Sequence, residues 1–97
     1  MQSYEHFHLH RLSEGLVYEF MRVTRPDGSV GYQRQDQDLW ITFRPHLGWV
    51  AYDEASNEIT GRSWNTLPSE QDDHPPEGEW VSKKGVKSYV YDLRYIQ

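Results

Sequence analysis

Three histidines, His6, His8 and His10, alternate with Phe7 and Leu9 near the start of the chain. In an extended strand, that alternation sends the imidazoles to one face and the apolar residues to the other. Side chains at i and i+2 stand roughly 6–7 Å apart at the backbone, and imidazoles at that spacing can converge on one zinc ion with Zn–N distances of about 2.0–2.1 Å. Three in succession rarely reach the same ion, so a distant group such as His46 or His74 would have to complete the set. A solvent-facing polar edge explains the same pattern with no ligand, because a metal site also needs outer partners that orient its rings. The sequence is therefore read without a cofactor, with His6, His8 and His10 as the alternative metal site.

Catalytic chemistry has less to stand on. No Gly-x-Ser-x-Gly elbow holds a hydroxyl beside a base, and the seven glycines are dispersed rather than gathered into a phosphate loop. Asp36 with Asp38, and Asp72 with Asp73, are close carboxylate pairs. Both lie in polar segments where solvated acids are expected rather than two carboxyl groups facing across a pocket. No catalytic residue is assigned.

Lys83, Lys84 and Lys87 lie among Trp80, Tyr89 and Tyr91, and a basic hairpin with exposed aromatics can stack bases and contact phosphates. Five acids between Glu70 and Glu79 precede it, and the chain carries a net charge of −5. That sign repels phosphate backbones and anionic lipid, so neither nucleic acid nor membrane is expected as a partner.

Four Trp and seven Tyr in 97 residues form the strongest signal. A domain of this length buries roughly 60–65% of the surface its unfolded chain exposes. So many large rings exceed what one shallow core readily encloses with every O–H and N–H paired. Some of Trp40, Trp49, Trp64, Trp80, Tyr89, Tyr91 and Tyr95 are therefore expected at an interface or in a concave site. The function expected is non-enzymatic binding or protein interaction, through a homodimer joined by Tyr89, Tyr91 and Tyr95 or a pocket for a small organic or sugar-like ligand.

The elements that must position these side chains are strands. The segments 4–12, 16–24, 30–34, 39–43, 47–53, 59–64, 79–83 and 88–96 are rich in β-branched and aromatic residues and are separated by turn chemistry. Pro26-Asp27-Gly28-Ser29 is the clearest turn. Gly61 within a strand points to a bulge or a close backbone approach. Lys84-Gly85 reads as a two-residue hairpin loop that would set Trp80 opposite Tyr89. Residues 65–79 read as an acidic surface loop, with at most one short helix near 66–73 and Pro68 at its first position.

The expected fold is mainly β: a single small domain over residues 1–97, an antiparallel meander of six to eight strands curled into a barrel or a two-layer sheet. Val17, Phe20, Ile41, Trp49, Val50, Val81, Val90 and Leu93 are the expected core. The terminal strands 4–12 and 88–96 are expected to be edges open to a second copy. Without cysteine, stability rests on packing and hydrogen bonds. Residues 1–6 lack the basic start and apolar run of a signal peptide, and no apolar stretch reaches the ~18 residues needed to cross a bilayer, so a cytoplasmic protein is expected.

Overall fold

Period-two alternation along nearly every strand makes one apolar face and one polar face, and a sheet of that kind buries its apolar face by curling on itself. The computed structural model describes residues 4–35, 39–84 and 86–96, with Lys84 followed through its backbone only. Eight strands follow in chain order: β1 His6–Arg11, β2 Leu16–Thr24, β3 Val30–Arg34, β4 Leu39–Arg44, β5 Gly48–Asp53, β6 Glu58–Ser63, β7 Gly78–Lys84 and β8 Lys87–Tyr95. Each pairs antiparallel with the next, and β1 also pairs with β8, so the sheet closes into an up-and-down barrel. A 3₁₀ turn at Pro68–Glu70 is the only helical element among the described residues. No helix there is long and apolar enough to cross a membrane.

Phe7, Leu9, Phe20, Tyr32, Ile41, Trp49, Trp80 and Leu93 meet in the barrel interior. Of the expected core, Phe20, Ile41, Trp49, Val50 and Leu93 are buried, whereas Val81 is half-buried and Val17 and Val90 are exposed. The two exposed valines sit one residue out of phase with Tyr18 and Tyr91, which a barrel turns inward.

Closure also removes the expected edges. Phe7 to Arg11 pair with Tyr91 to Tyr95, so residues 4–12 and 88–96 satisfy each other's backbone. In the β7–β8 hairpin the last pair is Lys84 with Lys87, which sets Trp80 opposite Tyr91 rather than Tyr89. The connection lies one residue later than Lys84-Gly85, and that moves every cross-strand partner by two. Gly85 itself, and the Asp36–Asp38 pair, lie outside the described residues.

At the Pro26–Ser29 turn, Gly28 adopts φ +89°, and the Asp27 carboxylate accepts from the Ser29 amide at 3.0 Å and from its hydroxyl at 2.6 Å. Gly61 lies against β7, where an added Cβ would stand 2.8 Å from the Val81 carbonyl oxygen. The β5–β6 register shifts nearby, between Ala51 and Tyr52.

Candidate functional site

The two ends of the barrel differ, and the difference begins with hydrogen-bonding demand. Trp49, Trp80 and Tyr95 bring N–H and O–H donors into the interior, where each needs an acceptor. The segment between β6 and β7 supplies them. Trp49 Nε1 donates to the Asp72 carbonyl at 3.0 Å, Trp80 Nε1 to the Pro76 carbonyl at 3.0 Å, and the Tyr95 hydroxyl to the Pro75 carbonyl. Proline carries a carbonyl and no N–H, so burying Pro75 and Pro76 adds acceptors without adding donors that need partners.

The segment expected on the surface is therefore a plug over one end, and Pro75 is fully buried. His74 stacks on Tyr4 with ring centres 3.6 Å apart and planes within 11°. Its Nδ1 lies 2.8 Å from the Asp73 carboxylate, which this contact holds below the ordinary aspartate range. Gln71 locks the plug to the wall, accepting from the Trp49 amide at 2.7 Å and donating to the Thr66 carbonyl at 3.1 Å.

The opposite end opens into a cavity of about 310 Å³. Its space comes from small inward positions: Ala51 on β5, Gly61 on β6 and Ser82 on β7 stand side by side where other strands carry rings. Leu9, Phe20, Leu39 and Trp80 form its apolar lining; Tyr18, Tyr91 and Arg34 its polar one; Asp53, Glu58 and Lys83 also border it.

Two arginines are nearly fully buried at this end, Arg11 and Arg34, each 6% exposed. Arg11 donates from Nε and Nη2 to the Tyr91 hydroxyl at 3.0 and 2.8 Å, pairs with Glu14 at 3.3 Å and lies 4.1 Å from the centre of the Tyr89 ring. Burial works against its charge, but Tyr91, Tyr18 and Glu14 together outweigh this and raise the Arg11 pKa. The Arg34 guanidinium lies over the Tyr18 ring, 4.6 Å from its centre. Guanidinium groups on tyrosine faces stay charged in a partly dry site.

The expected aromatic residues separate by position. Trp49, Trp80, Tyr91 and Tyr95 are inside the barrel, and Tyr89 is half-buried against it. Trp40 lies on the other face, covering Gly31 and carrying Arg25 4.0 Å from its ring centre. Trp64 stands out at 69% exposure. With Trp80 and Tyr91 enclosed, exposed Lys83 and Lys87 have neither as a surface stacking platform.

The histidines follow β1 as expected, His6, His8 and His10 outward between inward Phe7, Leu9 and Arg11. Only two of them converge. Glu19 on β2 stands directly opposite His8, and its carboxylate oxygens lie 3.2 Å from His8 Nε2 and 3.4 Å from His6 Nε2. The contact to His8, helped by His6, lowers the Glu19 pKa below the ordinary glutamate value. His10 faces Val17 and Asp92 instead, His46 occupies the β4–β5 turn at φ +71°, and His74 belongs to the plug. Asp72 and Asp73 are likewise plug residues.

Sequence reasoning missed Arg34, Arg11 and Glu19. The signal for the arginines was their phase: each falls on the inward period of its strand, a position where a charge is costly unless stabilised. No protein-family model, curated protein or solved structure matches this chain.

Proposed function

We propose that the protein is a non-enzymatic binding protein that takes a small organic anion, with an apolar or aromatic body, into the open end of its barrel. The observation that carries this reading is the placing of a buried arginine, Arg34, in the cavity wall with Tyr18, Phe20, Leu39 and Trp80, while Asp53, Glu58 and Lys83 stand at its border. Eight-stranded barrels have room inside for packed side chains or for one small ligand. Here the row Ala51, Gly61 and Ser82 leaves that room. The volume lies at the small end of the roughly 300–1,000 Å³ of small-molecule sites. A carboxylate or sulfonate would meet the Arg34 guanidinium, and the ligand body would lie against Phe20, Leu39 and Trp80.

Fluorescence of anilinonaphthalene sulfonate, with displacement by small aromatic carboxylates, tests the assignment. Saturable binding is expected, competed by a carboxylate and at least tenfold less by its neutral carboxamide, since a charge-assisted hydrogen bond contributes about 1.5–3 kcal/mol. Ala51→Leu, which fills the cavity, should abolish binding while the protein stays folded, and Arg34→Met should erase the preference for the acid. Equal competition by acid and amide, or unchanged binding in Ala51→Leu, would overturn the reading.

A second reading, self-association, finds support in an outer patch rather than in the tyrosine stripe. Trp64 is 69% and Leu67 65% exposed, and together with Leu47 they border one surface depression. Large exposed apolar side chains grouped in this way favour a covered contact.

A further inference from the structure

We infer that His6, His8 and Glu19 form a binding site for a divalent first-row transition-metal ion on the outer wall of the barrel. The site is independent of the interior cavity. Its first support is donor geometry. For metal–ligand bonds of about 2.0–2.1 Å, neighbouring donors of a tetrahedral ion stand about 3.3 Å apart. The Nε2-to-carboxylate distances, 3.4 Å from His6 to Glu19 Oε1 and 3.2 Å from His8 to Glu19 Oε2, are close to that spacing, one oxygen facing each imidazole. One donor atom from each of the three residues falls within 4.8 Å of the others.

The second support is a polar atom with nowhere to go. His6 Nε2 is shielded from solvent and has no hydrogen-bond partner; the carboxylate oxygen beside it is near but not in bonding geometry. Buried polar atoms are normally paired, and one left over beside two potential ligands asks for a further group. A metal ion would accept the lone pairs of both imidazoles and of the carboxylate at once, which a single shared proton cannot do.

Rigidity is the third support. β1 is hydrogen-bonded on both sides, to β2 and β8, so the backbone positions of all three ligands are held before any ion arrives. The neighbouring charges do not oppose a cation strongly. Arg94, opposite His8 on β8, bonds through Nε to the Asp92 carboxylate at 2.8 Å, and Met21 stands opposite His6. All three ligands are partly exposed, which leaves room for solvent or a fourth ligand to complete the coordination. Two imidazoles and one carboxylate suit zinc, cobalt or iron(II) better than magnesium or calcium.

Titration of the metal-free protein with cobalt(II), read by visible absorption and backed by competition with zinc, tests the site. One equivalent should bind at neutral pH, with displacement by zinc, and the melting temperature should rise with metal. Affinity should fall in acid, because protons compete with the ion for both imidazoles. His6→Ala, His8→Ala and Glu19→Gln should each weaken binding at least tenfold, whereas His10→Ala should leave it unchanged. Circular dichroism of the metal-free variants, expected to match the parent, separates ligand loss from misfolding. Absence of stoichiometric binding, retention in Glu19→Gln, or an equal loss in His10→Ala would overturn the proposal.

Discussion

The Tyr95 hydroxyl joins the last strand to the plug through the Pro75 carbonyl, and its surroundings make it sensitive to alkali. Burial, followed by the nearby Tyr32, pushes the Tyr95 pKa well above the ordinary tyrosine value of 10, and burial raises Tyr32 as well. In the unfolded chain both titrate near 10. Above that pH the folded state therefore holds more protons than the unfolded one, and stability falls as pH rises. The contribution is fully present below pH 10 and disappears as pH climbs toward the folded values. Urea unfolding from pH 8 to 11 should show this decline, and Tyr95→Phe should flatten it. The same variant should lose about 1–3 kcal/mol at pH 8, because Pro75 keeps a buried carbonyl without its donor. Parallel pH curves for the two proteins would contradict the assignment.

At the level of elements, β6 shows how one residue type serves both packing and the site. Gly61 is buried, lines the cavity and lies where a methyl group would meet the backbone of β7, 2.8 Å from the Val81 oxygen and 3.2 Å from Ser82 Cα. A glycine inside an ordinary strand is replaced by alanine with a gain of up to about 1 kcal/mol. Here the sign should reverse. Gly61→Ala is expected to destabilise by about 1–3 kcal/mol in chemical denaturation, because neither strand can move without disturbing its other partner. A stabilised variant would show that β6 and β7 are not held at this distance. The β1–β2 pair makes a related point about register. Taken as a three-residue turn, Ser13-Glu14-Gly15 would set Phe20 opposite His8. The observed pairing of Arg11 with Leu16 sets Glu19 there instead, and so brings a carboxylate to the histidines.

For the whole molecule, barrel closure decides which surfaces remain for partners. The backbone of β1 and β8 is mutually satisfied, and Tyr91 and Tyr95 are inside, so the proposed self-association rests on the exposed Trp64 and Leu67 patch instead. On this second reading, light scattering across a concentration series should give a mass rising toward a dimer at high micromolar protein, and Trp64→Ser should hold it at the monomer. A constant monomer mass in the parent chain would remove self-association and leave the cavity as the reason for the aromatic content.

What the sequence by itself determined was local: the strands, most of their boundaries, the inward phase of Phe7, Leu9, Phe20 and Leu93, and the outward row of His6, His8 and His10. These follow from period-two alternation and turn chemistry, which act over a few residues. Tertiary structure alone decided the partners. Glu19 joins His8 because of the length of one turn, and Trp80 faces Tyr91 because another loop lies one residue later. The loop of residues 65–77 became a plug because distant Trp49, Trp80 and Tyr95 needed acceptors, and its proline carbonyls supplied two of them. The cavity exists because Ala51, Gly61 and Ser82 meet on adjacent strands. None of these small residues carries a signal alone, since empty space inside a barrel depends on which side chains closure brings together.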